Sequence, residues 1–188
     1  MYSNFEIEMQ HTEESLVALS HMQYNLFCGK DRFLRTVISF VLVIGGIVSF
    51  ANWWGILLVA YGCYLTTSTY LSANRTAHKL SDQIKASGAP FPHSRYVFKN
   101  SGMEIYHAKE RQKEDMVGYE DIFRVGEDMK YFYLFRDQYG GYMIPKDKLD
   151  GRQEDFRRFI EMKTGKGVQS SAVPIVRLYN WIRRRIQQ

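Results

Sequence analysis

Residues 36–74 read TVISFVLVIGGIVSFANWWGILLVAYGCYLTTSTYLSAN and contain no Asp, Glu, Lys, Arg or His. One membrane-spanning helix needs about 20 apolar residues, because each residue adds about 1.5 Å along a helix that crosses about 30 Å of hydrocarbon. The stretch is long enough for two such helices. Asn52 can begin the second helix, and the neighbouring Trp53 and Trp54 suit the interface between membrane and water. The sequence therefore predicts a transmembrane helical hairpin over residues 33–74.

A pair of buried helices in a soluble domain is the alternative interpretation of this stretch. Such helices normally carry a polar stripe, and the widest polar run here is Thr-Thr-Ser-Thr at 66–69. Lys and Arg residues precede the first predicted span and follow the second, whereas the turn between the spans has none. Because basic residues stay on the cytoplasmic side, we expect a two-span membrane protein with both termini in the cytoplasm.

Small residues recur along the two predicted spans. Membrane helices approach closely where such residues face each other. This face either closes the hairpin internally, which we favour, or meets a second protein, which includes another copy of the chain. The predicted helix-packing residues are Gly45, Ser49, Gly55, Gly62 and Thr66.

Short strands separated by turn signals follow from residue 91 onward. Turn signals occur at 100–102, 127–128 and 140–141, a spacing typical of an antiparallel meander or barrel. The following stretch RQEDFRRFIEMK places Phe156, Phe159 and Ile160 on one helical face, and Gly165 follows as a stop signal. This pattern predicts a small antiparallel β-roll of the pleckstrin-homology type over residues 91–165, closed by a C-terminal helix.

The N-terminal residues FEIEM alternate apolar and acidic side chains as a half-buried strand does, and Thr12 can cap the helix that follows. If this strand pairs with the sheet of the roll, the hairpin is an insertion into one domain of an α+β membrane protein. The predicted segments are a strand and helix at 1–32, the hairpin at 33–74, a helical exit and linker at 75–90, the roll at 91–165, and a basic amphipathic tail helix at 166–188.

The tail has basic residues and no acidic ones, so its target is expected to be anionic. In PIVRLYNWIRRRIQQ the apolar residues recur at helical spacing, which predicts a helix lying on an anionic inner leaflet. Docking of the apolar stripe on the roll or on the N-terminal helix is the alternative. The predicted interface residues of the tail are Arg177, Trp181, Arg183, Arg184 and Arg185.

The acidic, histidine and aromatic residues show no catalytic, metal-binding or nucleic-acid-binding motif. The five histidines have neither an HExxH motif nor the His/Cys spacing of metal sites. Adjacent acids such as Glu114 and Asp115 point to opposite faces of a strand. In KYFYLFR the strand alternation buries at least one face, which argues against nucleic-acid binding. We expect no catalytic residue, no metal and no cofactor.

The order of an N-terminal strand and helix, two close spans and a strand-rich segment resembles the bacterial YcxB-like membrane proteins. The most specific stretch is YFYLFRDQYGGYMIPKDKL at 131–149, in which an aromatic strand is followed by a turn and then Ile-Pro-Lys. The resemblance extends to about Met162, and the tail from Ser170 exceeds the family pattern. The resemblance implies this architecture and a location in the bacterial cell membrane, and it gives little information on chemistry.

These observations predict a non-enzymatic integral membrane protein whose cytoplasmic roll binds or regulates a membrane-associated partner. The expected partners are a bilayer with an anionic inner leaflet and a second protein. An immunity protein that protects against a bacteriocin or a membrane-attacking toxin is the alternative, because small two-span proteins with cytoplasmic domains suit that role. A membrane-bound enzyme would need a polar pocket that the sequence does not reveal.

Overall fold

A computed structural model describes residues 5–107 and 113–170 of the chain. The architecture is α+β with antiparallel sheets, as the sequence predicts. The chain divides into two compact units. We call Met1–His11 together with Phe91–Gln188 the sheet unit, and Thr12–Pro90 the helical unit. The helical unit is therefore an insertion into the sequence of the sheet unit.

The sheet unit contains two sheets of four strands each among its described residues. The first has the order β1-β2-β3-β4, with β1 at Phe5–Gln10, β2 at His93–Phe98, β3 at Met103–His107 and β4 at Lys113–Val117. The second has the order β7-β6-β5-β8, with β5 at Arg124–Glu127, β6 at Tyr131–Phe135, β7 at Gly141–Pro145 and β8 at Gln169–Ser170. All neighbouring strands are antiparallel except β5 and β8, which are parallel.

The predicted pairing of the N-terminal strand with the sheet is confirmed, because β1 runs antiparallel to β2 with Ile7 opposite Tyr96. Phe5, Ile7 and the third apolar residue of the strand are buried, and the acids between them are exposed. Since side chains alternate between faces, a slip of one residue would expose this entire apolar set. The amide of His11 donates to the carbonyl oxygen of Pro92 over 2.9 Å. The chain thus leaves and re-enters the sheet unit at adjacent positions.

The single α-helix described in the sheet unit, α4 (Gln153–Thr164), contributes to an aromatic core. The ring of Phe156 on α4 meets Phe5 and Phe98 edge-on, with centroids 5.1 and 5.0 Å away. This geometry is favourable for aromatic quadrupoles and adds to the burial of apolar area. The helix ends at Gly165, whose φ of +66° is left-handed, so the predicted stop signal is confirmed.

The helical unit consists of α1 (Glu13–Phe27), α2 (Gly29–Val48) and α3 (Trp53–Ala86). Thr12 caps α1 as predicted, because its hydroxyl accepts the amide of Ser15 and the Ser15 hydroxyl accepts the amide of Thr12. Asn52 precedes α3 at the predicted break, although its side chain makes no capping hydrogen bond.

Helix α3 bends by 47° between Trp53–Thr69 and Leu71–Ala86. Within residues 5–107 and 113–170, no helix on its own has the length and apolar character needed to cross a membrane. The two segments of α3 meet that requirement only when they are taken as a pair, by length and composition.

Candidate functional site

The contact between α2 and α3 is made by small and hydroxyl-bearing residues. Ser39 on α2 is 2% exposed, and its hydroxyl donates to the carbonyl oxygen of Gly62 over 2.6 Å. The Ser39 and Thr66 hydroxyl oxygens are 2.5 Å apart. A Cβ added at Gly46 would lie 2.6 Å from the carbonyl oxygen of Gly55. The two backbones therefore touch, an approach that only glycine permits at these positions.

Most of the predicted helix-packing residues take part in this contact. Gly62 and Thr66 bond with Ser39, and a Cβ at Gly55 would collide with the carbonyl group of Ser49. Gly45 lies elsewhere, because a Cβ added there would meet nothing within 4 Å. The neighbouring Gly46 occupies the contact instead. Successive residues on a helix point about 100° apart, so the phase of the contact decides which of two adjacent glycines faces the partner helix.

The outer surface of the α2–α3 hairpin is apolar. Phe33 and Val48 on α2 are 72% and 82% exposed. Further exposed apolar residues of the hairpin are Leu34, Val37, Ile38, Phe40, Val41, Ile44, Ile47, Phe50, Ile56 and Leu57. Trp53 and Trp54 are exposed at the start of α3. Helices of a water-soluble domain bury their apolar side and expose polar residues, so this hairpin has the reverse distribution.

A second seam of small residues joins α1 to the Leu71–Ala86 segment of α3. Ala73, Ala77 and Ser81 are buried at intervals of four residues. On α1, Nε2 of His21 lies 2.6 Å from Oδ1 of Asn74, which fixes the two helices side by side. Sequence reasoning missed this seam, although the four-residue spacing of small side chains is its signal.

Glu13 at the start of α1 forms ion pairs with Lys85 and His78 on α3. We call the pair with Lys85 the Glu13–Lys85 clamp. One carboxylate oxygen of Glu13 lies 2.6 Å from Nζ of Lys85, and the other lies 3.6 Å from Nδ1 of His78. The hydrogen bond and charge of Lys85 lower the pKa of Glu13, and the hydrogen bond from Lys85 to Glu13 raises the pKa of the lysine.

In the sheet unit, Glu127 joins two cations from distant parts of the chain. Nζ of Lys146 lies 3.0 Å from its carboxylate, and the guanidinium of Arg157 on α4 contacts its other oxygen. Nζ of Lys146 also donates to the carbonyl oxygen of Asp128 and lies 4.5 Å from the ring centroid of Phe132. Burial lowers the pKa of Lys146, while the charge of Asp128 opposes that shift. We call Glu127, Lys146 and Arg157 the charge triad.

Asp128 fixes the turn that the sequence predicts between β5 and β6. Its Oδ1 accepts the amides of Lys130 and Tyr131, and its Oδ2 accepts the hydroxyl of Tyr133 over 2.5 Å. Tyr133 is fully buried, and burial is the main cause of its raised pKa, with the Asp128 carboxylate adding to it. The phenol therefore stays protonated and serves as a donor.

A polar depression of about 530 Å³ lies beside the β6–β7 turn. Its lining includes Asp121, Arg136, Asp137 and Tyr142. The Arg136 guanidinium lies 3.6 Å from Asp115, and the hydrogen bond with Tyr142 is the main cause of its raised pKa. Among the residues that the structure describes, no group of three or more His, Cys, Asp or Glu could hold a metal ion.

Residues 102–162 match the family described as YcxB-like protein. This segment is YcxB-like. The resemblance inferred from the sequence is thus confirmed for strands β3 to β7 and most of α4. The chain matches no curated protein and no solved structure.

The YcxB-like segment contains the whole charge triad, the Asp128 turn and the polar depression. The stretch at 131–149, which carries the sequence resemblance, supplies both the Phe132 ring and the Lys146 ammonium group of the cation–π contact. The helical unit lies outside the matched residues. Sequence reasoning missed the triad, because its members are far apart in the chain and meet only once β5 and α4 have packed.

The predicted interface residues fall into two groups. Trp53 and Trp54 lie at the start of α3, at the turn of the hairpin. Those of the tail lie outside the described residues and remain predictions: Arg177, Trp181, Arg183, Arg184 and Arg185.

Proposed function

We propose that this chain is a non-enzymatic integral membrane protein, anchored by the α2–α3 hairpin. In this proposal the sheet unit is a pleckstrin-homology-like module on the cytoplasmic side, where it binds or regulates a membrane-associated partner. The observation that carries the proposal is the reversed polarity of the hairpin. Apolar side chains such as Val48 point outward, and the hydroxyl of Ser39 is bonded on the inside.

The energetics favour lipid over water as the surroundings of this hairpin. Keeping a Val, Leu, Ile or Phe side chain in water instead of burying it costs roughly 1.5–3 kcal/mol. More than ten such side chains are exposed on the hairpin, and surrounding acyl chains would remove that cost. A bilayer also requires polar groups to be satisfied internally, which the Ser39 bond to Gly62 does.

The distribution of charge supports an orientation. Arg35 on α2 and Arg75 on α3 lie at the ends of the hairpin that connect to the rest of the chain, and the turn near Asn52 has no charged residue. Because basic residues remain on the cytoplasmic side, two spans with both termini inside fit this pattern.

A binding role for the sheet unit fits its charged residues better than a catalytic role. Within the charge triad, Glu127 is bonded to Lys146 and to Arg157. The neighbouring Asp128, outside the triad, is bonded to Tyr133. These bonds are made within the sheet unit and hold its strands and helix together. Catalysis would need such groups to face a reacting molecule.

Membrane extraction and cysteine labelling test the proposal. In a Cys28→Ser, Cys63→Ser background, Asn52→Cys should react with a membrane-impermeant maleimide in intact cells. Ser87→Cys, an exposed position just after α3, is the matched control and should react only after permeabilisation. The chain should also stay in the membrane after sodium carbonate treatment. Release by carbonate would overturn the anchor, and protection of Asn52→Cys in intact cells would overturn the two-span topology.

A further inference from the structure

Five basic residues lie next to the apolar surface of the hairpin, towards the end opposite to the turn that contains Trp53. We call them the basic collar. They are Lys30, Arg32 and Arg35 on α2 and Arg75 and Lys79 on α3. All are exposed except Arg32, which is half-buried.

The collar residues lie at successive depths along the hairpin and its continuation in α3. Helix α2 runs antiparallel to α3, because Ser39 meets Gly62 while Gly46 meets Gly55 further along. By this register Arg35 is level with Thr66 on α3, and Lys30 with Leu71. Arg75 lies about one helical turn beyond the level of Lys30, and Lys79 about two turns beyond it, past the bend of α3.

The five bases of the collar outnumber the two acids that lie nearest to them along the helices. These acids are Asp31, on the first turn of α2, and Asp82, three residues after Lys79 on α3. The side chain of Arg32 donates to Oδ1 of Asn25 on α1, which orients its guanidinium. Lys85 is excluded from the collar because it is bonded to Glu13.

We infer that the basic collar binds the phosphate groups of anionic phospholipids in the cytoplasmic leaflet of the membrane. The assignment to lipid rests on the proposed membrane anchor. Phe33 is exposed among the collar bases, so an acyl chain and its headgroup would meet adjacent apolar and basic side chains. Long basic side chains extend from the hydrocarbon edge to the headgroup level. At low salt, each basic residue near an anionic surface increases the association constant about fivefold.

Lipid selectivity of the full chain tests the inference. The purified protein is reconstituted in phosphatidylcholine vesicles with spin-labelled phosphatidylglycerol or spin-labelled phosphatidylcholine. The motionally restricted fraction of each label then gives their relative association with the protein. We expect selectivity for phosphatidylglycerol in the wild type. Arg75→Gln/Lys79→Gln and Lys30→Gln/Arg35→Gln should each reduce it several-fold, and added salt should have the same effect.

The matched control is Lys148→Gln/Arg158→Gln, which removes the same charge from exposed positions of the sheet unit. It should retain the selectivity of the wild type. A membrane-integral wild type without selectivity, or selectivity unchanged in both collar variants, would overturn the inference alone. Extraction of the wild type by carbonate would overturn the proposed anchor and the inference together.

Discussion

The hydroxyl of Ser39 on α2 bonds to the carbonyl oxygen of Gly62 on α3, so the two helices are joined through a backbone atom. Such a bond requires that the Gly62 backbone is not shielded by a side chain. A Cβ there would lie 2.8 Å from Cγ2 of Val43 and 3.0 Å from the Ser39 carbonyl oxygen. The absence of a side chain at this glycine and the hydrogen bond therefore depend on each other.

Leucine substitutions should distinguish the glycines of the contact from their neighbour. Gly46→Leu and Gly62→Leu force the helices apart and should each cost about 1–3 kcal/mol, the usual range for overpacking. Gly45→Leu should be neutral or slightly stabilising, because the site is open and leucine favours a helix more than glycine does. Thermal unfolding of the three variants in detergent measures this. Equal melting temperatures for Gly45→Leu and Gly46→Leu would show that the assigned contact face is wrong.

Much of the sheet unit could be predicted because its signals are local. Turn residues at 100–102 and 140–141 separate the strands, and Gly165 supplies the left-handed residue that ends α4. A period of two with one apolar face indicated that the N-terminal strand could pair with the sheet, and the structure shows that its partner is β2.

The contacts that could not be predicted depend on how elements pack. A choice between Gly45 and Gly46 requires the rotation of α2 against α3, which hydrophobicity alone leaves open when nearly every residue is apolar. The charge triad requires Arg157 to reach Glu127 across the gap between α4 and β5. The pairing of β8 with β5 involves only Gln169 and Ser170, too short a stretch for a periodic signal.

Removal of the Phe5 side chain should destabilise the sheet unit, although this residue is far in sequence from the strands it supports. Its ring is 3% exposed, packs on Phe156 and lies under the guanidinium of Arg152. Phe5→Ala should cost about 3–5 kcal/mol. Glu8→Gln on the exposed face of the same strand should change stability by no more than about 0.5 kcal/mol. Protease resistance of the full chain in detergent reports both, and similar resistance of the two variants would contradict the role of β1.

Substitutions in the charge triad should have unequal effects. Glu127→Gln leaves two cations around one neutral acceptor and should cost roughly 2–3 kcal/mol, less than a fully buried pair because Arg157 is partly exposed. Lys146→Met should cost less, because Glu127 keeps Arg157 and the methionine can still cover the ring of Phe132. The measurement is chemical unfolding of each variant. A larger loss for Lys146→Met than for Glu127→Gln would contradict Glu127 as the shared partner.

A peptide of residues 171–188 should distinguish the two interpretations of the tail. Helical spacing places Arg177 and Arg184 opposite the apolar stripe, and Arg183 and Arg185 on its flanks. The peptide should therefore become helical on vesicles that contain anionic lipid and much less so on neutral ones. Circular dichroism at increasing salt should show release from the vesicles. Equal helicity on both kinds of vesicle, or none, would favour docking of the tail on the protein.

The Glu13–Lys85 clamp should make the stability of the helical unit depend on pH at both extremes. Lys85 lowers the pKa of Glu13 from its ordinary value of 4.5, so its stabilising contribution is present above pH 4.5 and is lost as the pH falls through the lower folded value. Glu13 raises the pKa of Lys85 above 10.5, so the stabilising contribution of Lys85 is present below pH 10.5 and is lost as the pH rises through the higher folded value.

The Glu13→Gln variant should therefore melt at a lower temperature than the wild type near neutral pH, and the difference should shrink on acidification below about pH 4.5. Asp155→Asn, which removes an exposed acid of the sheet unit, serves as the control and should leave the acid dependence of the wild type unchanged. A constant difference between Glu13→Gln and the wild type down to about pH 3 would mean that the carboxylate charge does not stabilise the α1–α3 pair.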